Sequence, residues 1–156
     1  MPTFEWRNIF SVGHEDIDRQ HQQLFAIANE LYDAVRERSD VSAESLENAL
    51  KKLCAYTRQH FEEEERLLQA ARYPDFDRHK KSHDLLLGKV EEFEARFRSG
   101  EAEIATELLP FLVGEWLSHH IAFEDMQYAP YLNRHLRHER ACFRPSGSRS
   151  PQRQPD

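Results

Sequence analysis

With 156 residues, the chain is long enough for one ordinary domain with a buried core. Its net charge of -7 hides an asymmetry: four arginines and one aspartate from Arg140 onward give the tail +3, leaving -10 on the body through Glu139. An acidic body argues against nucleic acid and anionic membrane surfaces as partners, and no apolar run approaches the ~20 residues that a membrane span needs. The N-terminus lacks a charged leader followed by an apolar core, and two cysteines, Cys54 and Cys142, do not make a disulfide framework. A reducing cytoplasm is the expected compartment. Only five glycines and few β-branched runs, with abundant Leu, Glu and Arg, point to an all-helical protein.

Residues 1–15 mix aromatic and polar side chains and read as an arm packed on the body. From Asp16, apolar positions Ile17, Leu24, Phe25, Ala28, Leu31 and Val35 follow the 3.6-residue period, which predicts a first helix to about Arg38. Ser39 to Ser42 reads as a loop, with Ser42 as the N-cap of a second helix. That helix repeats Leu46, Leu50, Leu53, Thr57, His60, Phe61, Glu64 and Leu68. Tyr73-Pro74 breaks the chain and folds a third helix back, from about Asp75 through Phe76, His79, His83, Leu86, Val90 and Phe93 to a stop at Ser99-Gly100. A fourth carries Leu108, Leu109, Leu112, Val113, Trp116, His120 and Phe123, with Pro110 either beginning or kinking it. A short helical piece is expected after Pro130. The arrangement expected is all-α: an up-down-up-down four-helix bundle over residues 1–140, with an N-terminal arm and a short C-terminal helix. Residues 141–156, rich in Pro, Ser and Arg, read as a basic tail without fixed structure.

The informative residues are polar ones on apolar stripes. His60 and Glu64 lie four apart, as do His79 and His83, so each pair projects from one face of its helix. His21 stands three residues before Leu24, and His120 follows Trp116. A single inward histidine is more often a core residue bonded to a carbonyl, and a lone H-x-x-x-E is commonly a surface pair. The run Glu62–Glu65 reads mostly as a solvated face, with Glu64 alone on the stripe. Five inward histidines and a carboxylate on four facing helices are different, because burying each without a partner costs kcal/mol. A shared metal centre satisfies them together. Imidazole with carboxylate suits iron, zinc, copper or nickel, and the ligand count fits two ions bridged by carboxylates better than one. The Glu-x-x-His element of ferritin-like di-iron proteins does not occur.

These residues resemble the hemerythrins, specifically the single-domain bacterial ones. The pattern opens with an aromatic arm and Gly13-His14-Glu15-Asp16-Ile17-Asp18-Arg19-Gln20-His21. It continues through His60-Phe61-Glu62-Glu63-Glu64-Glu65, then Tyr73-Pro74 and His79 to His83. It closes with Trp116-Leu117-Ser118-His119-His120-Ile121, Asp125 and Tyr128, so the match covers about residues 6–131 in order. Leu68 replaces a Met often found after the glutamates.

The resemblance implies a cofactor of two iron ions. His79, His83 and His120 would hold one, His21 and His60 the other, with Glu64 and Asp125 bridging them beside an oxo or hydroxo group. It selects His120 over His119 and adds Asp125, which lies about 140° from the His120 direction on a regular helix. Either Asp125 reaches a different part of the centre, or the helix deforms. The implied activity is reversible dioxygen binding, for storage, delivery or sensing through a separate protein partner. The rival is a di-iron oxidase, peroxidase or nitric-oxide-processing enzyme. Leu24, Phe25, Phe61, Trp116, Leu117 and Ile121 are candidates to line the dioxygen pocket, although ordinary core packing accounts for each equally well.

Overall fold

The computed structural model describes residues 4–36, 40–101 and 104–143. Of the tail expected over residues 141–156, Ala141 and Cys142 belong to the last helix, and residues from 144 onward lie outside the described ones. An arm with a single 3-10 turn, Asn8–Phe10, leads into α1 (Glu15–Arg36), α2 (Asp40–Ala70) and α3 (Phe76–Arg98). The fourth helix is composite: α4 (Ile104–Phe111), a π-helical stretch Leu112–Glu124, and α5 (Asp125–Cys142) follow one another directly. Among the described residues there is no strand. α1 packs on α2, α2 on α3, and the fourth helix returns against α1 and α3, as expected for a four-helix bundle. No described helix is long and apolar enough to cross a membrane.

The turn after α2 is built by its sequence. Arg72 takes φ 53°, Tyr73 N–H donates to Leu68 O at 3.0 Å, and Leu68 and Tyr73 are buried in one apolar cluster. This is a Schellman ending with its hydrophobic contact, and Pro74 then prevents the helix from continuing. The arm docks as expected: Phe4 exchanges two 2.8 Å hydrogen bonds with Asn29, and Trp6 and Phe10 pack against Phe25. Gly13 sits at φ 79°, and a Cβ there would come within 2.8 Å of Asn133 Nδ2, which itself donates to Val12 O.

Three expectations change. α2 starts at Asp40, so Ser42 lies in its first turn and does not cap it. The piece after Pro130 is not separate: α5 runs through it to Cys142, held by buried Tyr128, Ala129 and Leu132. Along the fourth helix Val113 and Phe123 are exposed, not inward. From Leu112 to Asp125 the buried positions are Leu112, Trp116–Leu117, His120–Ile121 and Asp125, a spacing above four that follows the wider π turn and not the 3.6 period. Pro110 does not begin the helix but lies inside α4, and the regular pattern gives way to the π stretch two residues after it.

Packing divides the interior into layers. A large apolar cluster includes Leu24, Phe25, Leu50, Leu53, Phe61, Leu86, Val90, Phe93, Trp116, Leu117 and Ile121. A smaller one holds Val12, Ile17, Leu68, Tyr73, Tyr128, Ala129 and Leu132. On every helix the inward histidines and carboxylates fall between the two: His21 between Ile17 and Leu24, Glu64 between Phe61 and Leu68, His83 before Leu86, and Asp125 before Tyr128. Each buried Leu, Ile or Phe contributes about 1.5–3 kcal/mol, so the apolar layers offset a polar layer that is costly to bury.

Candidate metal centre

His21, His60, Glu64, His79, His83, His120 and Asp125 are all buried, and all seven meet in that polar layer. The two carboxylates organise it. Glu64 Oε1 lies 2.8 Å from His79 Nε2 and 3.1 Å from His83 Nε2, whereas its Oε2 faces His60 Nε2 at 3.5 Å and His21 Nε2 at 3.8 Å. Asp125 repeats the division: Oδ1 is 3.2 Å from His120 Nε2 and 3.4 Å from His79 Nε2, and Oδ2 is 3.2 Å from His21 Nε2. Each carboxylate thus turns one oxygen to a three-histidine group and the other to a two-histidine group. Two ligand sets result, Glu64, His79, His83, His120 and Asp125 on one side and His21, His60, Glu64 and Asp125 on the other, with ligand atoms in each within 4.8 Å of one another.

The π stretch makes Asp125 available. Its N–H donates to His120 O, five residues back, so positions 120 and 125 stack on one face. Of the two ways sequence left open for Asp125, the helix deforms. The same register puts His120 inside and His119 out, with side chains 1 % and 62 % exposed.

Electrostatics tie the layer together. Burial opposes a charged His21, but Asp125 and Glu64 outweigh it and lift the imidazole to about 9. His83 is lifted against the same penalty to about 9 by Glu64 and Glu65. Burial drives His60 well below the ordinary imidazole value and raises Tyr128 well above the ordinary phenol. Burial also opposes the Glu64 carboxylate, yet the imidazoles of His21, His79 and His83 beside it hold it well below the usual range. Contact with His120 pulls Glu124 down to about 2.

Several contributors were given no role from sequence. Tyr128 Oη donates to Glu64 Oε2 at 2.8 Å. His60 Nδ1 faces Gln20 Oε1 at 2.8 Å, and Gln20 is in turn bonded to Glu63. His83 Nδ1 meets Glu65 Oε1 at 2.9 Å, and His120 Nδ1 meets Glu124 Oε2 at 2.8 Å. The acidic run is therefore not mostly solvated: Glu63 and Glu65 as well as Glu64 are engaged. The signal available was spacing, since Glu124 stands four residues after His120 on the same helix.

A profile of the Hemerythrin HHE cation binding domain matches residues 12–132. The chain belongs to the hemerythrin family. It is 31% identical over 136 residues to a bacteriohemerythrin of Stenotrophomonas maltophilia, covering 87% of this chain and 86% of that one. A bacteriohemerythrin of Methylococcus capsulatus is 36% identical over 118 residues, 74% of this chain and 86% of the relative. A wild-type hemerythrin crystal structure superposes with a TM-score of 0.75 at 31% identity, covering 83% of this chain and 98% of that one. In this hemerythrin fold the six apolar candidates all lie in the large cluster against the histidines: Phe61 stacks on His83 at 3.8 Å, and Trp116 meets Phe61 edge-on at 5.3 Å.

Proposed function

We propose that this hemerythrin-family chain binds dioxygen reversibly at a carboxylate-bridged di-iron centre, with His79, His83 and His120 on one ion, His21 and His60 on the other, and Glu64 and Asp125 bridging. The observation that carries the reading is the split of both carboxylates between the two histidine groups. The donor set fits: Nε2 of His21, His60, His83 and His120 and both Asp125 oxygens are buried without a hydrogen bond, an arrangement costly for a protein unless a cation satisfies them. Nitrogen-rich donors with carboxylates suit iron. A di-iron centre supplies reversible two-electron chemistry toward dioxygen.

The remaining work falls to this chain's side chains. Gln20, Glu65 and Glu124 accept from Nδ1–H of their histidines, which fixes the tautomer that presents Nε2 inward. Tyr128 orients Glu64. Leu24, Phe25, Phe61, Trp116, Leu117 and Ile121 exclude water and protons from the histidine layer, which favours release of dioxygen intact over its further reduction.

The test is the iron content together with the optical spectrum of anaerobically reduced protein, before and after admitting air. About two irons per chain and a visible band that vanishes on removing oxygen are expected. One zinc and no iron would overturn the di-iron reading, and sustained consumption of a reductant under air would favour the oxidase rival.

A further inference from the structure

Beyond the ligands, the support behind the two histidine groups is unequal. Glu65 carries a negative charge to His83 Nδ1 at 2.9 Å and is itself anchored by Lys80 Nζ at 3.3 Å. Glu124 does the same for His120 at 2.8 Å, held by Ser82 Oγ at 2.6 Å and His119 Nε2 at 3.3 Å. On the other side His60 Nδ1 meets only the neutral amide of Gln20, and His21 Nδ1 makes no hydrogen bond. A carboxylate behind an imidazole strengthens its inward nitrogen as a donor more than an amide does, because the charge-assisted bond pushes electron density through the ring.

We propose that the two metal positions let go of their ions in order: the His21/His60 position first, and the His79/His83/His120 position later because Glu65 and Glu124 brace two of its imidazoles. This rests on the di-iron reading. Glu65 and Glu124 are positioning residues, acting through His83 and His120.

Full-length, iron-loaded protein is reduced anaerobically and challenged with excess ferrous-iron chelator, and release is followed by the colour of the chelate. Two phases of equal amplitude are expected. Glu65→Gln and Glu124→Gln, which keep shape and remove charge, should each speed the slow phase roughly 10- to 100-fold and leave the fast one in place. Gln20→Leu should speed only the fast phase. A purely structural role would move both phases together, and the two glutamates test the point independently should one variant load poorly. A single phase in the wild type, or a slow phase indifferent to both glutamates, would overturn the order. Fewer than two irons before chelation would instead overturn the di-iron reading, so the two failures are told apart.

Discussion

His119 and His120 differ by one position and by opposite fates. His120 faces Asp125 and Glu124, while His119 lies on the surface beside Phe123. His120→Ala should therefore lose most bound iron and His119→Ala little, read as iron per chain; the reverse result would place the register of the fourth helix one residue out. Protons provide a second test. His21 and His83 sit at about 9 in the folded metal-free protein, above the ordinary ~6.5. The folded state then holds protons that the unfolded chain has released, so the stability they contribute is complete below about 6.5 and lost as pH rises through about 9. Metal must displace the same protons, so metal affinity should rise over that window. Melting temperatures of metal-free and loaded protein across it should diverge with pH. Parallel curves would show that these imidazoles do not exchange protons for metal. Residue chemistry was largely legible: six of the seven ligand candidates stood on apolar stripes. Asp125 did not, since a 3.6-residue period cannot place it beside His120, and only the family resemblance supplied it.

Among elements, the α2–α3 turn carries a local conflict. Arg72 occupies the left-handed position that glycine fills at no steric cost. Arg72→Gly should stabilise the loaded protein by about 1 kcal/mol, measured by denaturant midpoint; no gain would mean that the arginine side chain contributes as much as the strain removes. The helices themselves were readable where their period was regular, as in α1 and α3, whose bounds fall within two residues of expectation. The fourth helix was not. Its hydrogen-bond pattern changes two residues after Pro110 and changes back at Asp125 with no glycine, proline or side-chain cap to mark the end, and the exposed Val113 and Phe123 are what a regular helix would have buried. The apolar residues of that stretch fit either period, and packing decided between them.

At the scale of the molecule, the two apolar clusters close over a polar layer whose partners come from all four helices. Gln20 and His60 are 40 residues apart, Glu64 and Tyr128 are 64 apart, and Val12 and Asn133 are 121 apart. Such a site exists only in the assembled bundle, so metal binding and tertiary stability should rise and fall together. The seven buried ligand candidates, and the described side chains bonded to them, all lie between Gln20 and Tyr128. Deleting residues 144–156 should leave iron content and the oxygen-dependent band unchanged. Loss of either would mean that the tail takes part in the site.

The five-residue step from His120 to Asp125 also has a consequence for how the chain tolerates gain and loss of residues. On a regular helix the same juxtaposition would need a step of four, about 400° and so nearly one full turn. The step from His120 to Asp125 therefore holds one residue more than the contact requires. Losing one there, for instance half-buried Ala122, lets the backbone relax to the ordinary turn while Asp125 still meets His120. Gaining one makes a step of six, which neither turn accommodates. Iron per chain should survive the deletion better than the insertion, and family members should differ in length at this point in one direction only.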